Sequence, residues 1–189
     1  MKKTIAGVDE VGRGSLIGPV FAAAVIFKKN INKKMIKDSK KLSKEKRKII
    51  EKHIKKNSVW SIGSASLREI EKLNILNASL LAMKRSIKKL RVRPSLILID
   101  GNKLPHMTGY KLKSIIKGDQ KISEISAASI IAKVYRDKFM IELHHKYPKY
   151  NFQKNKGYPT KDHIQAIREL GPSPYHRLSF KPELYENES

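Results

Sequence analysis

No cysteine occurs anywhere in the 189 residues. That excludes disulfide staples and any metal held by thiolates. Long apolar runs are missing too: the longest, Val20 to Phe27, is far too short to cross a bilayer. The N-terminus, MKKTIAGVDE, opens on two lysines as export signals do, but its apolar part breaks at Asp9. A cytoplasmic protein without membrane contact is therefore expected. Acidic residues are scarce as well, 17 Asp and Glu against 41 Lys and Arg, leaving a net charge of +24. A field of that sign favours a polyanionic partner, and nucleic acid is the usual one. Lysine supplies 32 of the 41, which AT-biased codons would also produce, so charge alone does not decide the matter. The length suits a single domain over residues 1–189 with a core of its own, expected as a monomer.

What the chain does have is concentrated in Gly7 to Val20, GVDEVGRGSLIGPV. An apolar lead-in ends in two adjacent carboxylates, Asp9 and Glu10. A glycine-rich turn holding Gly12, Arg13 and Gly14 follows, and then a second apolar run. This reads as a β-hairpin. Strand alternation points Asp9 and Glu10 to opposite faces, unless a bend or bulge at Glu10 brings them to one point. An arginine between two glycines places a guanidinium where side chains are sparse.

Lys28 to Asn57 carries 14 basic and three acidic residues. Its first part reads as a loop that includes Ser39 and Lys40, and hydroxyl and ammonium groups before a helix suit phosphate contacts. Ser43 is placed to cap a helix to about Lys55, with Ile49, Ile50 and Ile54 on one face. Ser58 to Ser64 alternates as a strand. Ser66 and Glu69 fit a capping box opening a helical region to about Leu90, which Asn74 and Asn77 are placed to break. Its stripe Leu76, Leu80, Leu81, Met83 and Ile87 reads as core. The basic cluster Lys84 to Arg93 suits either a nucleic-acid backbone or plain surface.

Leu96 to Ile99 is a continuous apolar run, as a strand buried on both faces requires, and it ends in Asp100-Gly101. Tyr110 to Ile116 reads as a further strand running into Lys117-Gly118-Asp119. A long helix, roughly Ser123 to His145, places Ser126, Ser129, Lys133 and Arg136 near one another. From about 146 the chain becomes an aromatic and lysine-rich loop containing Tyr158, then a helix capped by Thr160 and ending near Leu170, then a tail. That loop suits stacking on sugars or bases, or else packs on itself through its own aromatics.

Four acids, Asp9, Glu10, Asp100 and Asp119, thus stand at strand ends or turns. Oxygen-only ligands select hard cations such as Mg²⁺ or Mn²⁺. A pair of these about 4 Å apart activates water and stabilises the leaving oxygen in phosphodiester cleavage. Metal also relieves the repulsion among clustered carboxylates and between them and a nucleic acid.

The run DEVGRG from Asp9 to Gly14 resembles the signature of the type 2 ribonucleases H, and the likeness extends in order along the chain. DSKKLS (Asp38 to Ser43), NILNASLLAMKR (Asn74 to Arg85), IDG (Ile99 to Gly101) and KGD (Lys117 to Asp119) belong to it. So do ISAASIIAKVYRD (Ile125 to Asp137), KGYPTKDH (Lys156 to His163) and HRLSF (His176 to Phe180). The resemblance is to bacterial ribonuclease HII. It implies an α/β ribonuclease H-like fold, a mixed central sheet flanked by helices, with a C-terminal helical segment. It implies that Asp9, Glu10, Asp100 and Asp119 hold two divalent ions, Mg²⁺ or Mn²⁺. Gly12, Arg13 and Gly14 would contact the ribonucleotide's 2′-OH and the adjoining phosphate, and Tyr158 would pack on its sugar. Ser39, Lys40, Ser126 and Lys133 are further candidate substrate contacts. The implied substrates are RNA–DNA hybrids and duplex DNA with embedded ribonucleotides, cut to 3′-OH and 5′-phosphate ends in ribonucleotide removal. Four residues depart from the common pattern: Ser15 for a proline, Gln120 for a small residue, and Asn155 and Pro159 for the frequent His and Gly. Two other functions suit so basic a chain: a non-catalytic nucleic-acid-binding module, and a nuclease or integrase acting on all-DNA duplexes. Arg13 between two glycines favours the ribonuclease.

Overall fold

The computed structural model describes residues 4–28, 31–37 and 44–180. Strands β1 (Ile5–Val11) and β2 (Val20–Phe27) form the expected hairpin, in unbroken antiparallel register from Ala6↔Ile26 to Val11↔Phe21. Helices α1 (Lys33–Lys37) and α2 (Lys44–Lys56) lead to β3 (Ser58–Ala65), antiparallel to β2. The residue expected to cap α2, Ser43, lies outside the described residues. On α2, Ile50 and Ile54, one turn apart, are buried, whereas Ile49, displaced about 100° around the helix, is exposed.

Helix α3 (Leu67–Lys88) starts in the capping box anticipated at Ser66 and Glu69. It is interrupted at Asn74, whose φ of 63° is left-handed, and it restarts where the Asn74 side-chain oxygen accepts from the Asn77 amide at 3.1 Å. Strand β4 (Leu96–Asp100) lies parallel to β1, and β5 (Leu112–Ile115) parallel to β4. Helices α4 (Gly118–Lys121) and α5 (Ser123–Lys146) follow. A 3-10 turn (Pro148–Tyr150), α6 (Phe152–Asn155) and α7 (Lys161–Leu170) complete the described chain.

The result is a mixed five-stranded sheet in the order β3-β2-β1-β4-β5. Both faces are covered, which is why β2 is apolar throughout. Ala22, Ala24 and Ile26 pack with α3, and Ala23 and Val25 with α2 and α5. The small side chains let the layers approach closely. At Gly7 an added Cβ would stand 2.1 Å from the backbone carbon of Glu124, so β1 lies directly against the first turn of α5.

A third apolar cluster gathers Leu16, Ile17, Met140, Tyr150, Phe152 and Ile167. Of the two readings of the aromatic stretch, packing through its own aromatics holds for part of it: two short helices turn Tyr150 and Phe152 inward, while Tyr158 stays half-buried. Under it lies a buried pair, His163 and His176, with their Nε2 atoms 3.2 Å apart. The Ser173 amide donates to His176 Nδ1, so the His176 proton sits on Nε2 and points at His163. His163 in turn donates from Nδ1 to the Tyr158 carbonyl. The chain closes only if both rings are neutral. Burial and the neighbouring His163 push the His176 ring down to about 4 from the usual 6.5, and burial lowers His163 as well.

Because the unfolded chain takes up these protons first, the pair's contribution to folding stability is present above pH 6.5 and drains away as pH falls towards 4. His176 alone accounts for on the order of 3 kcal/mol over that window. Urea unfolding from pH 7.5 to 4.5 measures it. His176→Gln is expected to flatten the profile, and an equally steep profile in that variant would remove the pair as its cause.

Candidate active site

The C-terminal ends of β1 and β4 bring the first three candidate acids together. The parallel register pairs Val8 with Ile99, so Asp9 and Asp100 stand at the same level on neighbouring strands. The alternation reading of Asp9 and Glu10 holds, and there is no bulge, since Asp9↔Ala23 and Glu10↔Ala22 continue the ladder. Glu10 accordingly looks to the α3 side. It lines a cavity of about 260 Å³ with Arg13, Leu76, Ser79, Leu80, Met83, Asp100 and the Gly101–Lys103 turn. Part of the stripe read as pure core on α3 is thus a wall of this cavity. Asp9 looks to the α5 side, where it is hydrogen-bonded by the Ser129 side chain, and it also accepts from the Glu10 amide at 2.8 Å.

Asp119 enters through its backbone. Asp100 Oδ1 accepts from the amides of Gly118 at 2.7 Å and Asp119 at 3.2 Å, locking α4 against the end of β4. Lys117, left-handed at φ 55°, makes that turn.

Electrostatics at the site are unfavourable for bare carboxylates. Burial, then the charges of Glu10 and Asp100, push the Asp9 carboxyl up to about 7. Burial also raises Glu10, against the pull of Arg13, whose Nη1 is 3.3 Å from Glu10 Oε1. Glu10 Oε2 is buried with no hydrogen-bond partner. Among the described residues, no three ligating side chains converge as they stand on a cation position. The donor set nonetheless fits a hard divalent cation: it is all oxygen, mutually repelling, and includes an orphaned buried carboxylate oxygen.

The glycine turn stands beside this cavity. Gly12 adopts a φ of +95°, and Arg13 is about half exposed. The turn is held from below by Arg177, which is wholly buried. Arg177 donates from Nε to the Gly18 carbonyl at 2.9 Å and from Nη1 to the carbonyls of Arg13 and Ser15 at 3.0 and 2.8 Å. Burial, and then the charge of Arg136, push Arg177 down to about 9.

The remaining expected contacts are distributed unevenly. Ser39 and Lys40 lie outside the described residues. Ser126 is buried and its hydroxyl donates to the Ile36 carbonyl at 3.5 Å. It is Ser129, one turn on, that meets Asp9. Lys133 is engaged with Asp137 at 2.6 Å. Tyr158 lies over the guanidinium of Arg136, 5.0 Å from its ring centre. Of the departures, Gln120 and Pro159 are exposed, whereas Asn155 and Ser15 are buried and bonded. Asn155 donates to the Tyr150 carbonyl and accepts from the Gly157 amide, both at 2.7 Å. Ser129, Ser15, Arg136 and Arg177 all escaped the sequence-level site. Ser129 and Arg136 were visible only through their spacing on the long helix and their motif block, Arg177 only through its block, and Ser15 only as a departure from the common pattern.

Comparison with known proteins agrees with this geometry. The family model described as Ribonuclease HII matches residues 6–183. A ribonuclease HII of Pelagibacter ubique (strain HTCC1062) is 63% identical over 180 residues, covering 95% of this chain and 97% of that one. Among solved structures, the ribonuclease H2 of Pyrococcus horikoshii OT3 superposes with a TM-score of 0.76 at 24% identity, over 97% of this chain and all of that one. A Bst-RNase HIII in complex with Mn²⁺ gives 0.74 at 20% identity, over 95% of this chain and 67% of that one. At such identities the two structures speak for the fold, the ribonuclease H-like α/β architecture expected from sequence.

Proposed function

The chain belongs to the ribonuclease HII family, nucleases that cleave the RNA strand of RNA–DNA hybrids, and we propose that it also incises duplex DNA 5′ of a single embedded ribonucleotide. The observation that carries this is the position of Arg13: a half-exposed guanidinium on a glycine turn, sharing one cavity with Glu10 and Asp100. A cation beside clustered acids suits the phosphate next to the scissile bond. The 2′-OH is the one handle that distinguishes a ribonucleotide within DNA, and the open backbone of Gly12 to Gly14 reads it without a base preference.

Asp9, Glu10, Asp100 and Asp119 would hold two divalent ions, Mg²⁺ or Mn²⁺. When bound, the ions supply activation of water and neutralisation of charge at the leaving oxygen. The residues do the rest. Ser129 and the Glu10 amide keep the Asp9 carboxylate turned towards α5. Asp100 is held by the two α4 amides, and Arg13 and the glycine backbone orient the ribonucleotide. The water oxygen bonds to phosphorus as the bond to the preceding 3′-oxygen breaks, leaving 3′-OH and 5′-phosphate ends.

The basic cluster on α3 reads as part of the duplex path. Arg85 is spent on Glu69 at 2.6 Å and Arg93 on the Tyr110 ring and the Gly109 carbonyl. Lys84 and Lys88, one turn apart, instead line a cavity of about 220 Å³ with His106, Met107, Thr108 and Tyr110, and no acid. The double substitution Lys84→Gln, Lys88→Gln is expected to lower the slope of log binding constant against log salt by about two. Removing Lys52 and Lys56, exposed on α2 across the sheet, should leave the slope alone. Equal slopes in both double variants would return Lys84 and Lys88 to plain surface.

A labelled duplex with one ribonucleotide, incubated with Mg²⁺, Mn²⁺ or EDTA, tests the function directly. A metal-dependent nick 5′ of the ribonucleotide, absent from all-DNA, is expected. Binding without a nick would overturn the incision reading.

A further inference from the structure

The turn that carries Arg13 and the loop that carries Tyr158 are separated by some 145 residues of sequence yet joined by one hydroxyl and one guanidinium. Arg136 on α5 is wholly buried. Its Nη2 donates to Ser15 Oγ and to the Lys156 carbonyl, each at 2.7 Å. Its plane lies against the Tyr158 ring at 5.0 Å. Its Nε sits beneath Gly12, where an added Cβ would stand only 2.6 Å away. The same side chain thus floors both candidate ribose-reading elements.

Ser15 completes the joint. Its hydroxyl accepts from Arg136 and from the Ile17 amide at 3.2 Å, and its single proton is directed at the carbonyls of Ile17 and Gly157, 2.9 and 3.0 Å away. The neighbouring Leu16 amide also donates to the Gly157 carbonyl, at 2.8 Å. All the hydrogen-bonding capacity of the Ser15 hydroxyl is used, and every partner of that hydroxyl belongs to one of the two loops or to Arg136. Arg136 in turn has no carboxylate within ion-pairing distance among the described residues, and its Nε and Nη1 lack hydrogen-bond partners. Burying a guanidinium in this way is costly for stability alone. What it accomplishes is geometric. Arg136, which meets Tyr158, is two helical turns and about 10 Å along α5 from Ser129, which touches Asp9. One helix thus carries a contact to the acid site and a contact to the Tyr158 loop.

Resting on the function proposed above, we infer that Ser15 and Arg136 form a positioning pair that sets the gap between the Gly12–Gly14 turn and Tyr158, and that selectivity for a single ribonucleotide in DNA depends on this gap. Ser15 stands where proline is common in the resembling family, and proline has no hydroxyl to make these bonds.

A double-mutant cycle separates positioning from mere stability. Ser15→Ala, Tyr158→Ala and the double variant are assayed on a duplex with one ribonucleotide and on an RNA–DNA hybrid of equal length. Ser15→Ala is expected to lower kcat/KM on the single ribonucleotide about tenfold and to cost less on the hybrid. In the Tyr158→Ala background it is expected to add less than about twofold, because its effect passes through Tyr158. Arg136→Lys, which keeps the charge but loses the fork, serves as the second probe and should shift selectivity in the same direction. Fully multiplicative losses in the double variant, or equal losses on both substrates, would overturn the pair's role while leaving the enzyme's function standing. A wild-type protein that cuts hybrids but never nicks at the single ribonucleotide would overturn the functional reading and this inference with it.

Discussion

Asp9→Asn is expected to reduce cleavage of hybrids and of embedded ribonucleotides by about a thousandfold or more, on the order of 4 kcal/mol of barrier. Asp100→Asn should behave alike. The two carboxylates stand at one level on adjacent strands, where the proposed pair of divalent ions would need anionic oxygen. Binding to the uncut duplex should stay equal or tighten, since each change removes a negative charge facing phosphate. A third readout needs no activity at all. Burial together with Glu10 and Asp100 raises the Asp9 carboxyl to about 7, so the ionised form is disfavoured in the folded protein. The metal-free Asp9→Asn protein should therefore unfold at the same temperature as wild type or a higher one above neutral pH. Near-normal cleavage in millimolar Mg²⁺ by either variant would dismiss the metal assignment.

Gly7→Ala is the substitution expected to harm the fold most. The new methyl would meet the Glu124 carbon and oxygen and the Ile125 nitrogen at 2.1 to 2.3 Å. These are backbone atoms of the first turn of α5, so no rotamer change relieves the clash. Helix and strand must separate, at a cost of about 3 kcal/mol or more. For a chain of this size that corresponds to a melting temperature roughly 10 °C lower. Gly14→Ala provides the contrast, because nothing lies within 4 Å of its added Cβ and its φ is not left-handed. Calorimetry of both variants checks the pair. A Gly7→Ala protein melting like wild type would mean that β1 and α5 are not so closely packed. The consequence for activity follows from the same contact, since Asp9 and Ser129 sit one step further along these two elements.

Much of this protein was legible in its residues because the relevant physics is local. Apolar Leu96 to Ile99 read as a strand buried on both faces and is β4, the Ser66–Glu69 box opens α3, and Asn74 does break that helix. Asp9, Glu10 and Asp100 were visible as acids at strand ends. Strand alternation pointed Asp9 and Glu10 to opposite faces but left open a bulge that would bring them together, and the unbroken ladder decides for alternation. Ile49 illustrates the limit of such reasoning: apolar character did not reveal that α2 turns its Ile50 and Ile54 stripe, and not Ile49, towards α5.

Periodicity and residue type by themselves determined the order of the five strands and the long helices and the candidate acids, because each depends on neighbours within a turn. The resemblance of the ordered motifs pointed to the family. The short helices α1, α4 and α6, lying in stretches without clean periodicity, were not legible. Tertiary structure alone decided which side chains face the site. Leu76 and Leu80 look the same in sequence whether they fill a core or wall a cavity, and here they do the latter. Ser126 and Ser129 differ only by the rotation of α5, which packing on β1 fixes at Gly7, so that Ser129 reaches Asp9. Tyr150 and Phe152 became core while Tyr158 remained half-buried at the surface, because the third apolar cluster closes beneath the C-terminal segment. Above all, Ser15, Arg136, Gly157 and Arg177 meet only in three dimensions. A buried guanidinium finds its acceptors on whichever loops the sheet and α5 carry to it, and that distance is written nowhere in the spacing of the residues.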